Sequence, residues 1–230
     1  MPRISRKNLI QENLTYHIFN RGNAKLNIFH DDFDFEYFLN LTKRYKEKYK
    51  LQIFHWVLMT NHFHLSISIE PPDKLSKCIG GIQQSYVQYH HKKYNSAGRL
   101  WQGRFKSQPV QKEQHLYECG RYIERNPMRA GMVDYPWDYK WSSCSVYANN
   151  GSDSITTLDP TYESFGQNAS ERMNAYKDWL MEGEDNSFND MDTPVGDKGF
   201  IHALMLKSGR RLIRKRGRPP KKVYAKKDTI

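Results

Sequence analysis

The chain has 230 residues, 38% of them hydrophobic and 13% aromatic, with a formal net charge of +11. That suits a globular protein with one good core and some extensions. It excludes a membrane-spanning chain, because no run approaches the eighteen or so apolar residues a span requires. The opening Met1-Pro2-Arg3-Ile4-Ser5-Arg6-Lys7 has no apolar segment behind it, so no secretory signal is expected. Cys78, Cys119 and Cys144 lie far apart and form no CxxC pair, which argues against a disulfide framework and a zinc knuckle and for a reducing cytoplasm.

Charge is spread unevenly. Residues 1–150 carry 22 Lys/Arg against 13 Asp/Glu, residues 151–206 carry 3 against 11, and residues 207–230 carry 11 against 1. Three regions follow: a basic body (1–150), an acidic, partly helical extension (151–206), and a basic tail (207–230) expected to be disordered without a partner. A basic body and tail point to a polyanion, nucleic acid above all. The plainer alternative is a solvated tail that aids solubility.

In chain order, Leu14 to Asn20 alternates and is rich in β-formers, predicting a strand closed by Arg21-Gly22-Asn23. Asp31 or Asp32 can cap a helix whose apolar stripe is Phe35, Phe38, Leu39, Thr42 and Tyr45. Leu51–Met59 and His62–Ile69 read as two strands, and the short Thr60-Asn61 link makes them an antiparallel hairpin. Pro71-Pro72-Asp73 stops the second of these and starts a helix running to about Tyr94. Arg104–Val110 is a fourth strand, and a helix from Glu113 ends near Arg125, where Pro127 forbids continuation. Residues 135–165 read as loop with aromatic anchors Trp137, Trp141 and Tyr147, and residues 170–183 as a short amphipathic helix. The order β-α-β-β-α-β-α predicts an α+β fold: a ferredoxin-like (RRM-like) antiparallel sheet with helices on one face, plus a C-terminal helical or disordered extension. The second face would be open to a ligand.

Two positions apart on a strand, His62 and His64 share one face while Phe63 points to the other. Two imidazoles held this way are a ready divalent-metal clamp, although such pairs also occur merely facing solvent. On the last helix before Pro127, Tyr122 and Asn126 are four apart and share a face. A phenol with a pKa near 10 is a poor nucleophile at neutrality. A cation that polarises a phosphodiester, with nearby Arg or Lys, makes the phosphorus a better target. Two histidines, an amide and a tyrosine therefore suit attack on a DNA phosphate, leaving a phosphotyrosine. On spacing alone, the plainer reading of Tyr122 is a core aromatic packed with Leu116 and Ile123.

Trp101, Arg104 and Lys106 offer an indole and cations for unpaired bases and phosphates; alternatively the segment is a tight turn around a buried Trp. Arg121, Arg125 and Arg129 flank the tyrosine and could clamp phosphates or form a solvated helix face. His55, His90 and His91 are read as non-ligands, and Glu118 and Glu124 as surface charges. In the tail, Arg216 and Arg218 within Arg-Gly-Arg-Pro could enter a narrow A·T minor groove or simply attract phosphate. The acidic stretch could fold back on the basic surface and restrain binding, so that deleting 151–206 would tighten DNA binding at low salt.

Several blocks also resemble a known family. Asn61-His62-Phe63-His64-Leu65 resembles the HUH motif of single-tyrosine transposases, and Arg121 to Val133 (RYIERNPMRAGMV) resembles the tyrosine block of the REP-associated tyrosine transposases. Arg21-Gly22-Asn23, Leu100 to Ser107 and Trp141-Ser142-Ser143 match in the same order, over roughly residues 14–147. The resemblance implies a transposase that binds hairpin-forming single-stranded DNA and cuts and rejoins it. Tyr122 would be the nucleophile, and His62, His64 and Asn126 the ligands of Mg²⁺ or Mn²⁺. Insertion-sequence relatives commonly place Gln where Asn126 stands; the REP-associated branch agrees with Asn126. Imidazole ligands lean such a site toward Mn²⁺. Arg21, Trp101, Arg104, Lys106, Arg121, Arg125, Arg129, Arg216 and Arg218 would contact DNA, and the protein would be cytoplasmic and nucleoid-associated. Monomer and homodimer both stay open. Two other readings remain: a hairpin-DNA binder without strand transfer, and an RNA-binding or RNA-cleaving ferredoxin-like protein.

Overall fold

A computed structural model describes residues 14–111, 114–182 and 194–208. The sheet has four antiparallel strands: β1 (Thr15–Arg21), β2 (Gln52–Met59), β3 (His62–Ser68) and β4 (Lys106–Val110), in the spatial order β2-β3-β1-β4. Helix α1 (Asp32–Tyr49) joins β1 to β2, and α2 (Leu75–Lys93) joins β3 to β4. This is the ferredoxin-like arrangement the hydrophobic alternation predicts. The Asp31 side chain caps α1 by accepting from the Asp34 N–H at 3.1 Å.

Alternation sorts the sheet into two faces. On one, Tyr16 and Ile18 of β1 lie with Phe63, Leu65 and Ile67 of β3, all buried under α1 and α2. Phe38 of α1 packs 5.2 Å from Phe63 and 5.3 Å from Tyr86 of α2, ring centre to ring centre. Each such buried ring contributes on the order of 1.5–3 kcal/mol. The opposite face carries His17, His62, His64, Ser66 and His55, brought together by the registers His17↔Ser66, Arg21↔His62 and His55↔Ser66.

Helix α3 (Gln114–Glu124) lies across this second face, so the surface expected to stand open is covered by a helix of the chain itself. Its approach is close: a Cβ added at Gly120 would come within 2.6 Å of the His55 ring. Helix α4 (Asn126–Arg129) follows after Arg125.

Beyond it, α5 (Cys144–Ala148) and α6 (Ala169–Met181) build a smaller core from Cys144, Tyr147, Ala148, Tyr162, Tyr176 and Leu180. Residues on both sides of position 150 share that core. The stretch read as loop thus holds a helix, although its aromatic anchors behave as expected: Trp141 stacks on Phe35 at 4.8 Å and Tyr147 is fully buried.

Both sheet edges are covered. Leu58 N–H donates to the Trp141 carbonyl at 2.9 Å beside β2, and Val195 N–H to the Pro109 carbonyl at 2.9 Å beside β4. Helix α7 (Lys198–Ser208) comes last. Among the described residues no helix is long and apolar enough to cross a membrane.

Candidate active site

The two-residue link Thr60-Asn61 sets His62 at the mouth of β3 and His64 one pleat deeper, with ring centres 5.1 Å apart. His62 is half-buried and His64 is 1% exposed. Each has its Nδ1 engaged inside the protein. His62 Nδ1 lies 2.5 Å from Asn61 Oδ1, and His64 Nδ1 lies 2.8 Å from His17 Nε2. In His64, Nε2 is the ring nitrogen turned away from the His17 contact. Burial, reinforced by His17, His62 and Arg129, holds His64 well below the usual histidine range. It is therefore neutral near pH 7, the form that ligates metal.

Helix α3 brings Tyr122 to this pair within the same chain. Its ring lies edge-on to His64 at 5.8 Å and to His17 at 5.6 Å, and the residue is only 7% exposed. Arg129, two helical turns on, places its guanidinium 4.3 Å from the centre of the Tyr122 ring and donates to the Tyr122 carbonyl at 3.1 Å. Asn126 uses its amide nitrogen on the carbonyls of Tyr122 (2.9 Å) and Ile123 (3.1 Å). Its Oδ1 is the remaining donor atom for a cation. Two imidazoles and one amide oxygen are a donor set of a kind that divalent metals accept. Among the described residues no group of three His, Cys, Asp or Glu side chains is gathered as a metal site.

The other expected site residues fall into distinct groups. Arg21 is exposed, sits opposite His62 in the register and bonds the Gln102 side chain. Arg104 and Lys106 are exposed at the start of β4. Trp101 corrects the stacking-platform reading, because its indole is 8% exposed, packs on Phe63 at 5.6 Å and donates to the Gln83 carbonyl at 3.3 Å. The apolar core outcompetes the surface for that ring. Arg121 and Arg125 each donate to the Glu182 carbonyl at the end of α6, at 3.0 and 3.3 Å. The negative end of that helix takes the two guanidinia that the bare sequence offered to phosphate. Arg216 and Arg218 lie outside the described residues.

Three features escaped the sequence reading. His17 on β1 and Gln108 on β4 back His64: His17 Nδ1 lies 3.0 Å from Gln108 Oε1. Glu124 is not a surface charge but is fully buried, 2.9 Å from His55 Nδ1, 2.6 Å from Ser143 Oγ and 2.8 Å from the Tyr176 hydroxyl. Asp159 reaches the other side of His55, Oδ2 to Nε2 at 3.2 Å. Only a strand register could have put His17 on the histidine face in advance, and nothing local marks Glu124 or Asp159.

Known proteins share the family and the fold. The family model described as "Transposase IS200 like" matches residues 10–126, just over half of the chain. The fold is similar to that of a REP-associated tyrosine transposase bound to a REP hairpin, with a TM-score of 0.55 and 17% identity, over 69% of this chain and 93% of that one. A candidate transposase from Deinococcus radiodurans is also similar, with a TM-score of 0.36 and 16% identity, over 49% of this chain and 88% of that one. No curated protein matches the sequence. By the extent of the family match, this chain belongs to the IS200-like transposases.

Proposed function

We propose that the protein is a divalent-metal-dependent DNA transesterase of the REP-associated type, acting on hairpin-forming single-stranded DNA. The observation that carries this is the contact of Tyr122 with His64 inside one chain, at 5.8 Å between ring centres. A site completed in this way needs no second copy, which supports a monomer as the working unit. The hairpin bound by the similarly folded REP-associated transposase supports the choice of DNA partner.

His62, His64 and Asn126 would hold Mg²⁺ or Mn²⁺. When bound, the cation supplies Lewis-acid polarisation of a phosphodiester oxygen. The Tyr122 hydroxyl oxygen bonds to phosphorus and gives its proton to water. The bond from phosphorus to the 3′ oxygen breaks, and that oxygen leaves as a protonated 3′-hydroxyl. The 5′-phosphate stays on Tyr122. Attack by the 3′-hydroxyl of another strand reverses these changes and releases the phenol, so the bond energy is kept and no ATP is needed.

Arg129, fixed beside the Tyr122 ring, supplies positive charge where the transition state gathers negative charge. Arg21, Arg104 and Lys106 are exposed cations on β1 and the approach to β4, and they are suited to the strand's phosphates. Arg216 and Arg218 could add groove or phosphate contacts.

The test is incubation of the full chain with labelled hairpin DNA and Mn²⁺. A protein–DNA adduct that survives denaturation and vanishes in Tyr122→Phe is expected. Binding without any adduct would sink the enzymatic reading in favour of a hairpin binder, and cleavage of RNA alone would sink the DNA assignment.

A further inference from the structure

We propose that His17 and Gln108 are positioning residues that lock His64 in the tautomer able to bind a metal. This rests on the reading of His62 and His64 as ligands.

The argument is proton bookkeeping along one buried chain of contacts. Gln108 presents Oε1, an acceptor with no hydrogen, to His17 Nδ1 at 3.0 Å. His17 must therefore carry its proton on Nδ1 to make that bond. A neutral His17 then has a lone pair on Nε2, which faces His64 Nδ1 at 2.8 Å. His64 must supply the hydrogen between them, so it is protonated on Nδ1 and keeps its lone pair on Nε2. Reversing the first contact reverses all of it. A Gln108 amide that donated to His17 would leave His17 donating from Nε2 and would force the His64 proton onto Nε2. That nitrogen could then bind no cation. One amide orientation, two residues removed from the metal, decides whether the site can load.

The surroundings keep the chain rigid. His17 is fully buried and Gln108 is 1% exposed. Phe19 stacks on His17 at 4.9 Å and on His64 at 5.5 Å, holding both rings nearly parallel to itself. The strands fix the spacing as well, with His17 opposite Gln108 on β4 and Phe19 opposite His64 on β3. Such backing of a ligand histidine orients the ring and raises its basicity, and its loss typically costs 10–100-fold in metal affinity.

Two measurements on the full chain test this. In metal-free protein with ¹⁵N-labelled histidine, long-range ¹H–¹⁵N correlation should show His64 protonated on Nδ1. Gln108→Leu and His17→Phe should lose that single form. His17→Gln, whose amide oxygen can stand where the imidazole Nε2 stands, should restore it. Mn²⁺ affinity by electron paramagnetic resonance should fall about 10–100-fold in the first two variants and recover in His17→Gln. A wild-type His64 protonated on Nε2 overturns the proposal, as do an unchanged tautomer and affinity in folded Gln108→Leu. If the wild type binds no Mn²⁺ at all, the metal reading above fails instead, and the tautomer spectrum still decides the relay.

Discussion

Replacing His55 with Gln would remove the one cation set between two buried carboxylates, and the cost can be worked from the structure. Burial by itself would lower the His55 pKa, but contacts to Asp159 and Glu124 more than offset it and push it up to about 9. Raised from 6.5 by that amount, the charged form is favoured in the folded protein by on the order of 3 kcal/mol. Truncating one partner of a buried ion pair costs about 3–5 kcal/mol. In a chain of this length that is roughly 6–20 °C in Tm. Because the folded pKa is the raised one, the stabilisation is complete below pH 6.5 and is lost as pH rises through about 9. Asp159 behaves oppositely. Burial would raise its pKa, yet its bonds to His55 and Thr161 hold it low, so its share is lost only in acid. Urea unfolding of wild type and His55→Gln at pH 6, 8 and 9.5 checks this. The gap between them should be several kcal/mol at pH 6 and should shrink by about 3 kcal/mol at the highest pH. A gap below about 1 kcal/mol, or one that does not change with pH, would refute the charged assignment.

Other substitutions probe the same assembly from different sides. Gly120→Ala should destabilise by roughly 1–3 kcal/mol despite the better helix propensity, since the new methyl meets a ring pinned between two carboxylates; a more stable variant in thermal melts would contradict the close approach of α3. Arg129→Ala should slow single-turnover adduct formation about tenfold, or 1.4 kcal/mol. An unchanged rate would remove Arg129 from the chemistry. Asn126→Ala should weaken Mn²⁺ binding at least tenfold, equal affinity excluding its oxygen as a ligand. Chelation by EDTA should abolish the adduct and Mn²⁺ should restore it.

Local patterns carried the sheet and the motif residues, because alternation, caps and prolines act within a few residues of themselves. The His62–His64 pair was legible for that reason: a strand's two-residue period needs no tertiary information to put both on one side. What could not be read depends on pairings far apart in the chain. Glu124 and His55 are 69 positions apart, and His55 and Asp159 are 104 apart. A carboxylate without a known partner defaults to the surface on energetic grounds. Trp101 had two readings, and only the presence of Phe38, Phe63 and Tyr86 around it selects the buried one. Charge counting likewise suggested that deleting residues 151–206 would tighten DNA binding at low salt. Asp159 and Tyr176 lie in that stretch and satisfy His55 and Glu124, so the deletion would open the core beneath α3 rather than merely unmask a basic surface.

That buried cluster also bears on the proposed nucleophile, through the geometry of one helix. At 3.6 residues per turn, Tyr122 and Glu124 are about 200° apart around α3. Cys119 and Ile123, both fully buried, lie between them and face the sheet. Tyr122 thus sits at one margin of the buried stripe, over β1 and β3, where it meets His17 and His64. Glu124 sits at the other margin, over β2, where it meets His55. A helix held at both margins of its buried stripe cannot roll without breaking one set of contacts. The His55–Glu124 pair therefore fixes the roll of α3, and with it the distance from the phenol to the histidine pair. On this account His55→Gln should lower the adduct rate even at temperatures where the variant is fully folded, although His55 lies outside the proposed metal site. Wild-type kinetics in a folded His55→Gln protein would show that the apolar stripe alone sets the helix, and that the buried charges serve stability only.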